Sequence, residues 1–225
     1  ERGLRLHVFN KHAVSEIEHH EVALHTAKPL KFRILQADWG IRLQPQVIQP
    51  ITNVQFLHDV HVTEGMLRPA WYILYKIRNS GRKQFSIEIP QDAMGVLINA
   101  PDVARWDDVR KDGKRFINVS LTRKYFEQTW PLVLRFETRF DRSSGQVQLH
   151  STGLADSSSM KGHVVVHGSE RVEVEVADTG DALVATESRA IPNIFGAGSM
   201  SDAAFCFKSG NGHYQLPITA TRHSS

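Results

Sequence analysis

The sequence predicts an all-β fold: an antiparallel β-sandwich, with two sandwich modules in tandem and almost no helix. Three observations carry that prediction. Apolar and polar residues alternate with period two in one run after another, Gly, Pro, Asn, Asp and Ser punctuate the runs, and helix-period patterns are nearly missing. Hydrophobic residues make up 41% of the 225 and charged residues 23%, enough to bury a core and too apolar for disorder.

In chain order, Leu4 to Phe9 and Leu30 to Gln36 read as the first strands. Residues 1–50 are expected to be leading strands or a linker, because the composition changes between Pro45 and Pro50. Val54 to Val62 leads through Thr63-Glu64-Gly65 into the clearest stretch, "WYILYKIRNSGRKQFSIEIP". There Trp71, Ile73, Tyr75 and Ile77 alternate with Tyr72, Leu74, Lys76 and Arg78. After Asn79-Ser80-Gly81-Arg82, Phe85, Ile87 and Ile89 alternate with Gln84, Ser86 and Glu88. That grammar predicts a two-stranded hairpin turning at 79–82.

Gly95 to Ala100 and Phe116 to Leu121 read as further strands, and Asp102 to Val109 and Arg123 to Gln128 as short helical turns. In "LVLRFETRF", Leu132, Leu134, Phe136, Thr138 and Phe140 share one face of a strand, and Val133, Arg135, Glu137 and Arg139 the other. The polar stretch Asp141 to Gln146, or alternatively the Ser-rich Ala155 to Gly162, then marks a boundary, the first preferred because it follows so clear a strand. Residues 51–142 are expected to form one sandwich module, and 143–225 a second, smaller one. In the latter, Gly162 to Gly180 predicts another hairpin turning at His167-Gly168-Ser169-Glu170, with Val172, Val174 and Val176 inward and Glu173 and Glu175 in water. Ala182–Thr186, Ala204–Lys208 and Tyr214–Ala220 complete the set, and Pro217 marks an edge strand or a strand end.

Charge and cysteine usage narrow the function classes. Lys plus Arg is 27 and Asp plus Glu 24, a dispersed excess of three that argues against a nucleic-acid partner. No run approaches the eighteen apolar residues of a membrane-spanning helix. The single cysteine, Cys206, lies between Phe205 and Phe207 and reads as a small hydrophobe, since a catalytic thiol needs a basic partner that its neighbours do not supply. The chain opens Glu1-Arg2-Gly3 without methionine, which suggests a processed product or a portion of a longer protein.

Histidine is the first place to look for chemistry. "EIEHHEVALH" offers His19, His20 and His25 as candidate metal ligands. A strand would put Glu18 and His20 on one face and His19 and Glu21 on the other, so further ligands must come from elsewhere. His58 and His61, three apart, face opposite sides. No H-x-H, H-E-x-x-H or C-x-x-C pattern is present. "GAGSMSD", 196–202, lacks the G-x-S-x-G spacing of a nucleophile elbow and reads as a loop. Asp38, Glu88, Asp107, Asp108 and Glu137 could serve as paired carboxylates, yet each sits where a solvated face or turn would carry charge anyway. Arg105, Arg110 and Lys111, interleaved with aspartates, form a candidate partner-docking loop. Trp39 and Trp106 are the candidate exposed aromatics for stacking on a sugar, while Trp71 keeps register with the core. No cofactor is indicated.

At "AWYILYKIRNSGRKQFSIEIPQDA" the chain resembles β-sandwich modules of large multi-domain bacterial envelope proteins. In those, a strand ending in Arg-Asn precedes a q-F-x-h-x-h-P rhythm, matched here by Arg78-Asn79 and then Gln84-Phe85, Ile87, Ile89 and Pro90. "KGHVVVHGSERVEVEVADTGDALVATESRAIP" and "AFCFKSGNGHYQLPITA" are similar to the continuation of such modules. The resemblance implies a repetitive, non-catalytic, extracytoplasmic module; separately, the terminal strands of a module cut from a longer chain are expected to pair by their edges with other protein domains or subunits. It carries over no functional residue, and the histidine-rich first fifty residues and the region around Trp106 depart from it. The expected function is scaffolding or protein–protein contact. A carbohydrate-binding module would instead need Trp39 and Trp106 in one exposed row. Part of a metal-dependent hydrolase would need histidines or carboxylates to converge.

Overall fold

The computed structural model describes residues 4–17, 31–155, 157–177, 179–198 and 200–222, which divide into two units, Glu1–Gln49 and Pro50–Ser225. In the first unit, β1 (Leu4–His12) pairs antiparallel with β4 (Gly40–Val47), and β2 (Val14–Glu16) with β3 (Phe32–Ile34). These are two-stranded ribbons with little to bury. Val14 is buried, whereas Leu6, Phe9, Leu43 and Val47 are exposed. The sequence reading misses β4 because Pro45 lies inside it; a ribbon has two open edges, and a proline is tolerated there.

The second unit begins with two thirteen-residue strands, β5 (Ile51–Thr63) and β6 (Met66–Arg78), joined by a tight turn in which Gly65 takes a left-handed φ of 79°. Then follow β7 (Arg82–Ile89), β8 (Met94–Asn99), β9 (Val103–Lys111), β10 (Lys114–Tyr125), β11 (Gln128–Arg139), β12 (Gln146–His150) and β13 (Gly153–Leu154). The chain closes with β14 (Ser159–His167), β15 (Val172–Val176), β16 (Leu183–Ala185), β17 (Phe205–Ser209) and β18 (Gln215–Arg222). Short 3-10 turns at Gly180–Ala182, Ser188–Ala190 and Asn193–Phe195 are the helical segments among the described residues. The all-β expectation holds.

A seven-stranded sheet in the order β16-β17-β14-β5-β6-β11-β8 is the spine of this unit. One of its faces packs against two smaller sheets, β13-β7-β10-β9 and β12-β18-β15, to make a sandwich-like fold. Alternation in β6 and β11 sends Trp71, Ile73, Tyr75, Ile77, Trp130, Leu132 and Leu134 into this interior, all nearly inaccessible. Phe85 from the four-stranded sheet packs between Tyr75 and Trp130, with ring centroids 4.7 and 4.4 Å away. Tyr214, beside the three-stranded sheet, lies 6.4 Å from Phe56. Such offset aromatic pairs contribute beyond the apolar area they bury.

Several expectations are corrected by the pairing. The stretch 71–90 is a strand, a turn and a strand, but β6 and β7 belong to different sheets, so 79–82 is an arch across the sandwich and not a hairpin turn. The same holds for 167–170, between β14 and β15. There is no module boundary at 142/143 either. β14 pairs in parallel with β5 along its whole length, Ser159 opposite Asn53 and His167 opposite His61, so the two expected modules share one sheet. Asp141–Gln146 is a turn, in which Asp141 accepts hydrogen bonds from Ser143 and Gly145 has a φ of 61°. Turn residues look alike whether they close a loop or separate domains. Asp102 is a turn residue and 103–109 lie in strand β9, while 123–128 run from β10 into β11, so neither stretch is helical. Finally, β18 is the central strand of its sheet. Pro217 is tolerated because β15 ends at Val176 just where its missing N–H falls, while its carbonyl accepts from Ala177.

Candidate functional site

The four-stranded sheet ends in an open edge. Among the described residues β9 is paired on one side only, to β10, and eight of its nine residues are exposed. The Asp112-Gly113 turn sets the register: both residues have positive φ, 51° and 72°, as a two-residue primed hairpin requires. Cross-strand partners share a face, so Trp106 opposite Val119 and Asp108 opposite Ile117 lie on the interior side of the sheet. The interior ends before it reaches them. Val119 and Ile117 are buried, yet Trp106 keeps 41% of its surface exposed.

Two latches hold this edge in place. Arg115 is buried and forks onto Asp108, 2.7 Å from Nη2 to Oδ2 and 3.0 Å from Nε to Oδ1, while Nη1 donates to the carbonyls of Gln91 and Ala93. The Arg115 hydrogen bonds hold the Asp108 carboxyl below its ordinary pKa. At the other end, Asp102 takes a φ of 58° and accepts from Tyr125 Oη at 2.6 Å and Arg123 Nε at 2.8 Å; those hydrogen bonds lower its pKa too. Trp130 Nε1 donates to the Pro101 carbonyl at 3.0 Å. The connection from β8 to β9 is therefore rigidly seated. β8 is itself the edge of the seven-stranded sheet, with Leu97 exposed, so among the described residues two consecutive strands form open edges.

A cleft of about 720 Å³ opens beside β12 and the end of β7, with His58, Trp71 and Tyr214 in its lining. His58 stacks on Trp71 at 3.9 Å between centroids, and its Nδ1 lies 2.5 Å from Tyr214 Oη. Burial pushes the His58 pKa down to about 3 and the Tyr214 hydroxyl well up, so both groups are neutral across the physiological range. Several polar groups here are engaged: Arg115 with Asp108, Lys114 with Glu88 at 3.0 Å, and the Thr152 hydroxyl with the Glu88 carbonyl.

The opposite face of the seven-stranded sheet carries a different cluster. Asp59 and His61, two apart on β5, project from one face, and parallel pairing sets His167 of β14 directly opposite His61. His167 Nε2 is 2.9 Å from Asp59 Oδ1, and His61 Nε2 is 3.7 Å from the same oxygen. The imidazoles of His61 and His167 stack at 4.3 Å, 7° from parallel. Asp202 Oδ1 is 3.6 Å from the other nitrogen of His167. The contact with Asp59 raises the His167 pKa. On the same face, Ile191, Pro192 and Phe195 of the segment before β17 line a cleft together with Leu57.

The candidates read from sequence are dispersed. His19, His20 and His25 lie outside the described residues. Trp39 is exposed in the first unit and Trp106 on β9 of the second. Arg105, Arg110 and Lys111 are exposed as expected, but on an edge strand and not in a loop. His58 and His61 do face opposite sides, His58 into the interior. Cys206 is half-buried, its thiol pKa raised by burial. Sequence reading missed the Asp59–His61–His167 cluster. The local signal was Asp59-Val60-His61, a carboxylate and an imidazole on one strand face; the third member comes from over a hundred residues away.

The molecule is thus a sandwich-like all-β protein with an open strand edge and a histidine–carboxylate cluster on its large sheet. No protein-family model matches the chain, and no curated protein matches it. Among solved structures it is similar to the M1 zinc metallopeptidase of Deinococcus radiodurans. A mutant of that enzyme bound to a Tyr-Ser-Ala substrate aligns with a TM-score of 0.43 at 10% identity, over 76% of this chain and 42% of that one. The enzyme itself gives 0.42 at 10% identity over the same shares. A two-domain M1 zinc metallopeptidase mutant bound to L-tryptophan gives 0.41 at 10% identity over 78% and 44%. The chain spans less than half the length of these structures, and no residue or activity is carried across from them.

Proposed function

We propose that the chain is a non-catalytic scaffold module that docks another protein by accepting a partner strand at the β9 edge. The observation that carries this reading is a nine-residue strand, eight of whose residues are exposed, with one flank unpaired among the described residues. Such a flank presents a row of main-chain donors and acceptors, and β-augmentation uses that row for affinity and the side chains for selection. Arg105, Arg110 and Lys111 select for an extended segment bearing acidic residues, and the exposed ring of Trp106 for an apolar residue beside them. Inward charge on an edge strand ordinarily discourages pairing, but Asp108 is already neutralised by Arg115. The sequence resemblance supports a bacterial envelope, outside the cytoplasm, as the proposed location of such a module.

The test joins capture to the edge. The chain is used as bait in an extract of its source, and a retained protein is then bound to the purified chain during hydrogen–deuterium exchange. Protection of the 103–111 amides is expected, and Trp106→Lys with Val109→Lys should abolish capture, because charges blunt an edge. A partner that binds both proteins equally and leaves β9 unprotected would overturn the reading.

A further inference from the structure

The cluster on the other face of the large sheet has no part in edge docking, and its geometry is that of a metal site. Two imidazole nitrogens and a carboxylate oxygen converge, each from a different side chain, with all three atoms within 4.8 Å of one another. A tetrahedral ion bound at 2.0–2.1 Å sets its ligand atoms about 3.3 Å apart. The two separations to Asp59 Oδ1, 2.9 and 3.7 Å, bracket that value. His61, half exposed on the open side, is the ligand able to swing in and shorten the remaining edge.

Burial makes the case independently. The His167 side chain is 3% exposed; its Nε2 and Asp59 Oδ1 meet at 2.9 Å as an ion pair, and among the described residues neither atom, nor His167 Nδ1, has a partner at hydrogen-bond angles. Native proteins rarely leave buried polar atoms short of well-aligned partners, because burial strips them of the hydrogen bonds that water would supply. A cation at the meeting point of these three atoms satisfies Asp59 Oδ1 and His167 Nε2 together. The remaining nitrogen, His167 Nδ1, faces the Asp202 carboxylate at 3.6 Å. A carboxylate behind a ligating histidine is the outer-shell arrangement that orients the ring and makes it a better donor.

We propose that Asp59, His61 and His167 bind one divalent first-row transition ion, with Zn2+ the best-suited probe, and that Asp202 positions His167. Two imidazoles and a carboxylate suit such an ion better than Ca2+ or Mg2+, which prefer all-oxygen shells. With three protein ligands, the fourth position is left to water or to a donor group of a bound molecule. Charge does not forbid the ion: Arg68, which faces His61 across β5 and β6, is held by Glu137 at 3.0 Å.

The test is titration of the metal-free full chain with Zn2+, read by calorimetry and by the metal-dependent rise in Tm. One tight equivalent is expected. His61→Ala should weaken it by at least tenfold, while lowering the Tm in EDTA by much less than the rise Zn2+ gives the unaltered chain, since His61 is half exposed. Asp202→Asn should weaken it by about 10- to 100-fold, the usual cost of losing an outer-shell partner. Two outcomes would overturn the proposal. One is an absence of Zn2+ binding above that of His61→Ala. The other is a tight equivalent that survives His61→Ala, which would locate it elsewhere, the histidines at 19, 20 and 25 being the first place to look.

Discussion

His58 shows what burial does to a single residue. In the folded chain its pKa is about 3, against 6.5 for a free imidazole, and burial alone is the cause. Between those values the unfolded chain takes up a proton that the folded chain refuses. Stability is therefore fully present above pH 6.5 and is lost progressively as pH falls toward 3. Urea unfolding at pH 7, 5.5 and 4.5, in EDTA, measures the slope; His58→Asn should flatten that part of it while lowering stability overall. Gly162 is the second case. A Cβ there would meet the Phe56 carbonyl oxygen at 2.0 Å, where β14 lies against β5. Backbone has little room to yield, so Gly162→Ala should cost about 1–3 kcal/mol, visible as a lowered Tm.

At the scale of the element, β9 is held by the residues behind it more than by its own burial. Arg115 ties Asp108 to two carbonyls of the 90–93 turn, and Asp102 ties the β8–β9 connection to Tyr125 and Arg123. Arg115→Met keeps the apolar stem and removes the fork. Exchange of the 103–111 amides should then accelerate by about tenfold or more, with the β5, β6 and β11 amides unaffected. An equal acceleration everywhere would show that Arg115 supports the whole fold and not the edge. The legibility of the elements follows the same physics. β11 was plain in the sequence because one face is buried and the other solvated, so Leu132, Leu134 and Phe136 alternate with Val133, Arg135 and Glu137. β9 was not, because neither face is buried and no alternation is written into it. Its one readable mark was Asp112-Gly113, which predicts the hairpin to β10.

For the whole molecule, the sharing of one sheet by early and late segments sets the unit of folding. Val164, Val166, Phe207, Leu216 and Ile218, all beyond residue 142, pack in the same interior as Phe56, Trp71 and Leu134. Each such side chain contributes about 1.5–3 kcal/mol on burial, so losing five of them is comparable to the whole stability of a typical domain. A chain cut after Arg142 is expected to lose cooperative thermal unfolding and near-UV ellipticity. A sharp transition from residues 50–142 alone would show that an independent module exists after all.

What the sequence by itself determined is the kind of structure and the facing of its strands: period-two patterning, turn residues and the lack of helical periodicity made this an all-β chain, and they sorted Trp71 inward and Arg78 outward. What only the tertiary structure decided is which strands are neighbours. Alternation says which way a side chain points and nothing about the sheet it points from, so 71–90 reads as a hairpin although its two strands sit in opposing sheets. The pairing of β5 with β14 brings Asp59 and His61 to His167, and the end of the interior beneath β9 leaves Trp106 exposed. Both depend on contacts between residues far apart in the chain, which no local pattern encodes.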